Sequence, residues 1–342
     1  MPPVSLSAIV VAHDSVSELA ASLPALLDQL DADDELIVVD SGSRDGLAEL
    51  IDRVAPRACL VTLPENVGFA AAANRGVAQA RRELVVLLNS DAMVEPGWAT
   101  AIRAQWGGAW AAWMGLGMLK EGTRINTSGG VLHFAGFGWA GQIGEPLSAA
   151  PRLPADVGFV SGACLALPRA AWLDLDGFPE HFFMYCEDVD LSLRLRLAGG
   201  RLGVMPDARF VHDYEFDRGP WKWRLLERNR WAVVLRTYPP ALLVLLVPAL
   251  LAAEVAVWLV AMRGGWVRTK ALATLDVLRA LPRLMRERRA IQARRRISTR
   301  AFAAAMTAEL GSPYFSGLAK RALVRRTLEL YWRLVCSLLP RS

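Results

Sequence analysis

The sequence predicts an α/β fold, a mostly parallel sheet flanked by helices, followed by a helical region with one long apolar stretch. Three observations carry this. Short β-branched runs alternate with helical stretches over the first 90 residues; the runs are continuously apolar; and each ends in polar or acidic residues. Strands buried on both faces of a parallel sheet read as unbroken apolar runs, whereas half-exposed strands alternate.

The elements follow in order. LSAIVVA (6–12), ELIVVD (35–40), ACLVTL (58–63) and ELVVLLN (83–89) are the predicted strands, separated by helices over 15–30, 44–54 and 68–81. The runs close on Ala12-His13-Asp14, Asp40-Ser41 and Asn89-Ser90-Asp91, which gathers polar groups at the carboxyl edge of the sheet, where open α/β folds bind ligands. Residues 97–145, rich in Gly and Trp, hold further strands and loops. A strand at 159–167 leads into a helix, Glu187 to Leu197 forms another helix with leucines on more than one side, and a last strand ends at Val211-His212.

The chain has 342 residues, 53% of them hydrophobic, enough for a large core. Its four cysteines, Cys59, Cys164, Cys186 and Cys336, lack the short spacing of a zinc knuckle or redox pair and read as reduced thiols of a cytosolic protein. The N-terminus lacks the basic and apolar segments of a signal peptide, so the chain is expected to enter its fold directly. Residues 1–215 carry 15 basic and 27 acidic side chains, and residues 216–342 carry 24 and 7. The basic half suits an anionic partner, for which nucleic acid and anionic lipid both qualify, while the acidic half suits metal and polar ligands and would repel polyanions, so a membrane surface and no nucleic acid is expected.

Residues 239–262 form the one stretch long enough to consider as a membrane span, with Pro248 and Glu254 inside it. An arginine-dense segment follows, with Arg283, Arg286, Arg288, Arg289 and Arg294–Arg296. The expectation is a segment that lies in the interface or dips in and returns, broken near Pro248, with its arginines on anionic head groups.

Four motifs carry chemistry. VVDSGSRDG (38–46) places Asp40 at a strand end before a small-residue turn able to accept a nucleoside, or simply an N-capped βα turn. In ENVGFAAAANRG (65–76), Asn66 and Gly68 form a turn, and the alanines allow a helix to sit close to a ligand or to the sheet. LLNSDA (87–92) puts Asp91 where a cation bridging two phosphates needs oxygen, although a helix cap reads the same way. FFMYCEDVDLSLRLRLAGG (182–200) sets three carboxylates at a helix start, where burial and repulsion raise a pKa and favour a general base; the alternative is a capping cluster paired with Arg194 and Arg196.

In that order, with VSGACLALPR (160–169) and the later strand-end His212, these motifs resemble the family 2 glycosyltransferases of GT-A fold, particularly their bacterial rhamnosyltransferase-like branch, over residues 4 to about 235. The resemblance implies an inverting transfer of a sugar, rhamnose among the candidates, from a dTDP-, UDP- or GDP-sugar to a glycan or lipid-linked glycan of the cell envelope. Ala12, His13, Asp14, Asp40, Asn66, Gly68, Asn74, Asn89 and Asp91 would hold the donor. Asp91 and His212 would hold a divalent cation, Mg²⁺ or Mn²⁺, and Gly162 and Ala163 would meet the acceptor. Asp188 would be the base, with Glu187 beside it. Two positions depart from the family pattern: its DxD motif reads Asn89-Ser90-Asp91, and His13-Asp14 stands where Tyr-Asn is usual.

The expected organisation is a catalytic domain at 1–235, a hydrophobic and arginine-rich membrane-associated region at 236–300 and a helical tail at 301–342, working at the cytoplasmic face of the membrane as a peripheral, monotopic or re-entrant protein. Rival readings are a polyprenyl-phosphate sugar synthase and a non-catalytic polyanion- or polysaccharide-binding protein. A dehydrogenase is disfavoured because no GxGxxG follows the first strand.

Overall fold

The structure, a computed structural model, describes residues 4–212, 219–311 and 322–340. The chain divides into two compact units, one drawn from Met1–Gly130, Ala140–Leu195 and Gly200–Tyr214, the other from Val131–Trp139, Arg196–Gly199 and Glu215–Ser342.

Among the described residues the elements run β1 (Leu6–Ala12), α1 (Val16–Leu27), β2 (Glu35–Ser41), α2 (Leu47–Val54), β3 (Cys59–Leu63), α3 (Gly68–Gln79), β4 (Leu84–Asn89), β5 (Met93–Val94) and α4 (Trp98–Arg103). There follow β6 (Trp110–Met118), β7 (Ile125–Thr127), β8 (Gly130–His133), β9 (Gly138–Ala140), β10 (Ala155–Asp156), β11 (Cys164–Pro168), α5 (Arg169–Asp174), α6 (Glu187–Leu197) and β12 (Arg201–Val211). The second unit adds α7 (Pro220–Thr237), α8 (Pro240–Arg263), α9 (Val267–Ala293), α10 (Thr299–Ala303), β13 (Met306–Thr307) and α11 (Ala322–Leu338).

The main sheet runs β10-β12-β6-β11-β4-β1-β2-β3, and its β4-β1-β2-β3 part is wholly parallel. The unbroken apolar runs do what they predicted, because successive side chains enter two different cores. Leu6, Ala8 and Val10 of β1, Leu36 and Val38 of β2, and Leu84, Val86 and Leu88 of β4 face one. Ile9, Ile37, Val39, Val85 and Leu87 face the other. Burying a Val, Leu or Ile side chain contributes about 1.5–3 kcal/mol, and the buried polar residue within β1, Ser7, has its hydroxyl bonded to Glu35. The small residues of α3 serve the sheet: a Cβ on Gly76 would come within 2.5 Å of Ile9, and Ala70, Ala72 and Ala73 are wholly buried in the second core.

Two expectations change. The strand placed at 159–167 begins only at Cys164. Val160 N–H donates to Ser192 Oγ (3.1 Å) and Gly162 N–H to Asp188 Oδ2 (3.1 Å), so these donors serve α6 side chains instead of a strand ladder. The break expected near Pro248 does not form either: α8 runs through it unbroken for 24 residues. Pro248 sits on the exposed side of α8, while Leu246 and Leu250 on either side are buried and hold the inner face. A proline removes one backbone hydrogen bond, which a packed helix can absorb.

Candidate active site

Parallel pairing brings three strand ends into line. Ala12 pairs with Asp40, and Val11 with Asn89, so β1, β2 and β4 release their chains at one edge of the first unit. The loop 41–46 then closes over the end of β1. Ser43 N–H donates to Asp40 Oδ1 (2.8 Å), Arg44 N–H donates to Asp14 Oδ1 (2.8 Å), and Asp14 N–H donates to Ser43 Oγ (3.1 Å). Asp45 caps α1 through Val16 N–H (2.8 Å). The DSGSRD segment is thus both the capped turn and a shaped polar edge. His13 and Asp14 remain exposed, whereas Asp40 is buried. Asn66 accepts from Gly68 N–H (2.9 Å), and Val67 N–H donates to Ser41 Oγ (3.1 Å), which joins this edge to the start of α3. Gly42 has to be glycine, since its φ is +73° and a Cβ would lie 2.6 Å from the Glu65 backbone.

At the neighbouring strand end Asn89, Asp91 and His212 converge. His212 Nε2 lies 3.3 Å from Asp91 Oδ1 and 3.3 Å from Asn89 Nδ2. Its position is set by β12, whose Val211 pairs with Met93, and by His212 N–H donating to Met118 O (2.9 Å). One carboxylate and one imidazole make a mixed oxygen–nitrogen donor pair, and no group of three His, Cys, Asp or Glu that could hold a metal exists among the described residues. That pair fits a cation that takes its other ligands from diphosphate and water.

The acid cluster separates into three roles. Asp190, wholly buried, is paired with Arg194 (2.6 Å), whose guanidinium also donates to Gly177 O (2.6 Å); this is the structural pairing that the capping alternative anticipated. Asp188 accepts from Gly162 N–H (3.1 Å) through one oxygen and from Val189 N–H (2.8 Å) through the other. Burial raises its pKa above the ordinary aspartate value, although these N–H groups oppose the shift. Glu187 is raised well above the ordinary value by burial and by the charge of Asp188, and its Oε2 is buried with no hydrogen-bond partner among the described residues.

Gly162 and Ala163 connect the two parts. Gly162 N–H holds Asp188, while Ala163 O accepts from Asn89 N–H (3.2 Å). Both residues are buried, and their visible work is positioning. Asn74 does not join the strand-end groups. Its amide is engaged at both ends by the Phe178 backbone (2.9 Å each) and also reaches Glu180 (3.3 Å), tying α3 to that loop.

One feature was invisible in the sequence. Phe183, Tyr185 and Cys186, immediately before the acids, have φ of 66°, 70° and 65°, a region that non-glycine residues occupy at a cost. Gly68, itself at φ +82°, makes room for this loop, because a Cβ there would lie 2.5 Å from Phe183; Ala70 N–H then holds Phe183 O (3.0 Å). The only hint was the glycine in NVGFA.

Sequence comparisons agree with this geometry. The pattern described as glycosyl transferase family 2 matches residues 7–112, and that of glycosyl transferase family group 2 matches residues 84–285. An N-acetylglucosaminyl-diphospho-decaprenol L-rhamnosyltransferase of Mycobacterium tuberculosis is 29% identical over 201 residues, which is 52% of this chain and 66% of the relative. Two solved structures share the fold. GalNAc-T7 with UDP, GalNAc and Mn²⁺ superposes at a TM-score of 0.57 with 14% identity, covering 70% of this chain and 49% of that one. The Pyrobaculum calidifontis mannosyltransferase PcManGT, in complex with GDP-Man and Mn²⁺, superposes at 0.50 with 18% identity, covering 98% and 86%. The second pattern spans more than half of the chain, which therefore belongs to the family 2 glycosyltransferases.

Proposed function

We propose that this chain is an inverting glycosyltransferase that moves a sugar, rhamnose in the first instance, from a nucleoside-diphosphate donor to a hydroxyl of a lipid-linked glycan at the cytoplasmic face of the membrane. The observation that carries this is Asp188, half-buried beside the buried Glu187 and fixed by two backbone N–H groups, one of them next in sequence to the residue that holds Asn89. The name of the mycobacterial relative supports both the sugar and the lipid-linked acceptor.

Asp188, oriented by Gly162 and Val189, takes the proton of the acceptor hydroxyl. The acceptor oxygen attacks the anomeric carbon as the bond to the diphosphate breaks, and the diphosphate leaves with the electron pair. Burial and the charge of Asp188 raise the Glu187 pKa, which favours the negative charge on Asp188 over Glu187. Asp40 and the 41–46 turn receive the nucleoside. Asp91 and His212 would hold the divalent cation, which supplies neutralisation of the diphosphate charge when bound. An imidazole in the donor set suits Mn²⁺ better than Mg²⁺, which prefers oxygen ligands.

A panel of dTDP-, UDP- and GDP-sugars, offered with Mn²⁺ and a lipid-diphosphate N-acetylglucosamine acceptor, tests the reading. Transfer from dTDP-rhamnose with inverted anomeric configuration is expected; a retained configuration, or donor hydrolysis alone, removes it. His212→Ala should raise the Mn²⁺ concentration needed for half-maximal rate by about 10–100-fold. An unchanged Mn²⁺ requirement would take His212 out of the site.

A further inference from the structure

The second unit leaves two apolar faces uncovered. On α8, Val244, Val247, Leu251, Val255, Leu259 and Met262 are exposed by 42–71% and recur every three or four residues along one side, with no charge among them. The helix has a mean hydropathy of 2.5 over its most apolar window. On α11, Leu323, Leu330, Leu334 and Leu338 are exposed by 56–79% on one face, flanked by the exposed Arg326 and Arg333. The two helices touch: Tyr331 O–H donates to Leu245 O (2.5 Å). Isolated exposed leucines mean nothing, but continuous rows on adjoining helices mark an interaction surface.

The opposite side of α8 is committed to protein. Glu254, the one acid within the apolar helix, receives Lys270 Nζ (2.7 Å), Trp231 Nε1 (2.9 Å), Trp258 Nε1 (3.1 Å) and Arg230 Nη2 (3.3 Å). Lys270 and Arg230 also hold Glu227 on α7, at 2.9 and 3.0 Å. A crossing α8 would have to bring this cluster, and the arginines of α7 and α9 with it, into hydrocarbon, where charged groups are costly. We propose that α8 and α11 form a monotopic membrane-docking surface, embedded side-on in one leaflet of an anionic phospholipid bilayer, and that α8 does not span it.

The occupant follows from chemistry around the rows. Arg263 and Arg268 are exposed at the turn between α8 and α9, and Arg326 and Arg333 flank the leucines of α11, so cations sit where phosphate head groups would lie. This deepens the membrane part of the proposed function and holds whatever sugar is moved.

The test uses the full chain and floated vesicles of phosphatidylcholine, alone or with about one third phosphatidylglycerol. Co-flotation is expected with the anionic vesicles and should fall at least tenfold, by the linkage of affinity to apolar burial, in Leu251→Glu/Val255→Glu and in Leu330→Glu/Leu334→Glu. All these positions are exposed, and the two pairs lie on different helices, so circular dichroism of each identifies a folding defect and the other pair keeps the test open. In membranes from cells, tags on the two termini should be digested from the same side; digestion from opposite faces means that α8 spans, and overturns the proposal. Undiminished flotation in both variants overturns it too, as does loss of a dimer instead of loss of lipid binding, which would assign the faces to a second copy. Transfer to a short-chain soluble acceptor should persist in both variants, so failure of docking and failure of the transfer reading give different results.

Discussion

Two buried clusters of charge, one in each unit, respond oppositely to the same burial. Around Glu187 and Asp188 acid stands beside acid, and burial and repulsion push Glu187 well above its ordinary range. Around Glu227 burial pushes upward as well, but Arg230 and Lys270, by charge and by hydrogen bonds, hold that carboxyl below its ordinary value. Burial sets the stakes, and the sign of the neighbour decides the outcome. An acid left among acids can take a proton from a substrate. One clamped between two cations is a strut.

The comparison can be broken first at Asp188. Asp188→Asn preserves shape and removes the base; the transfer rate should fall by about 10²–10⁴-fold, with donor binding measured calorimetrically left largely intact. A variant that turns over normally would reduce the first cluster to a second strut. Next comes Lys270→Met, which leaves Glu227 and Glu254 one cation short; urea unfolding should show a loss of about 3 kcal/mol. A loss below roughly 0.5 kcal/mol, the range of ordinary surface substitutions, would mean that Lys270 contributes no more than an exposed pair.

The smallest effect is the most diagnostic, because the two clusters carry opposite pH signs. Glu187 has a raised pKa in the folded chain, so its contribution to stability is complete below the ordinary value of 4.5 and is lost as pH rises through the raised folded value. Glu227 has a lowered pKa, so its contribution is present above 4.5 and is lost as pH falls through the depressed folded value. Glu187→Gln should therefore flatten the decline in melting temperature as pH rises above 4.5, leaving the limb below it unchanged. Melting temperatures of wild type and variant that run parallel as pH rises above 4.5 would show that Glu187 ionises without cost.

Much of this molecule was legible from local pattern. The β1 to β4 strands, the intervening helices and α6 begin and end within a few residues of where apolar runs and polar breaks place them. The convergence of Asp91 with His212 was legible only through the family resemblance, since 121 positions separate them and no local period joins them. Asn74 shows the opposite: the motif is present, yet the amide is spent on Phe178, a partner 104 residues away. Pro248 and Glu254 read as interruptions of an apolar helix, but α8 continues through both: Pro248 lies on its exposed side, and α7 and α9 supply Glu254 with the partners that a lone helix lacks.

By itself the sequence determined the strands and helices of the first 90 residues, the parallel half of the sheet and the edge at which the acids and amides collect, because apolar period and strand ends are properties of neighbouring residues. Tertiary structure alone decided which acid of 187–190 is paired with a cation and which stands beside another acid, why Phe183, Tyr185 and Cys186 sit at positive φ near Gly68, and which side of α8 faces protein. Those outcomes depend on what each buried group meets across the chain, and burial without a partner has the opposite chemical consequence from burial with one.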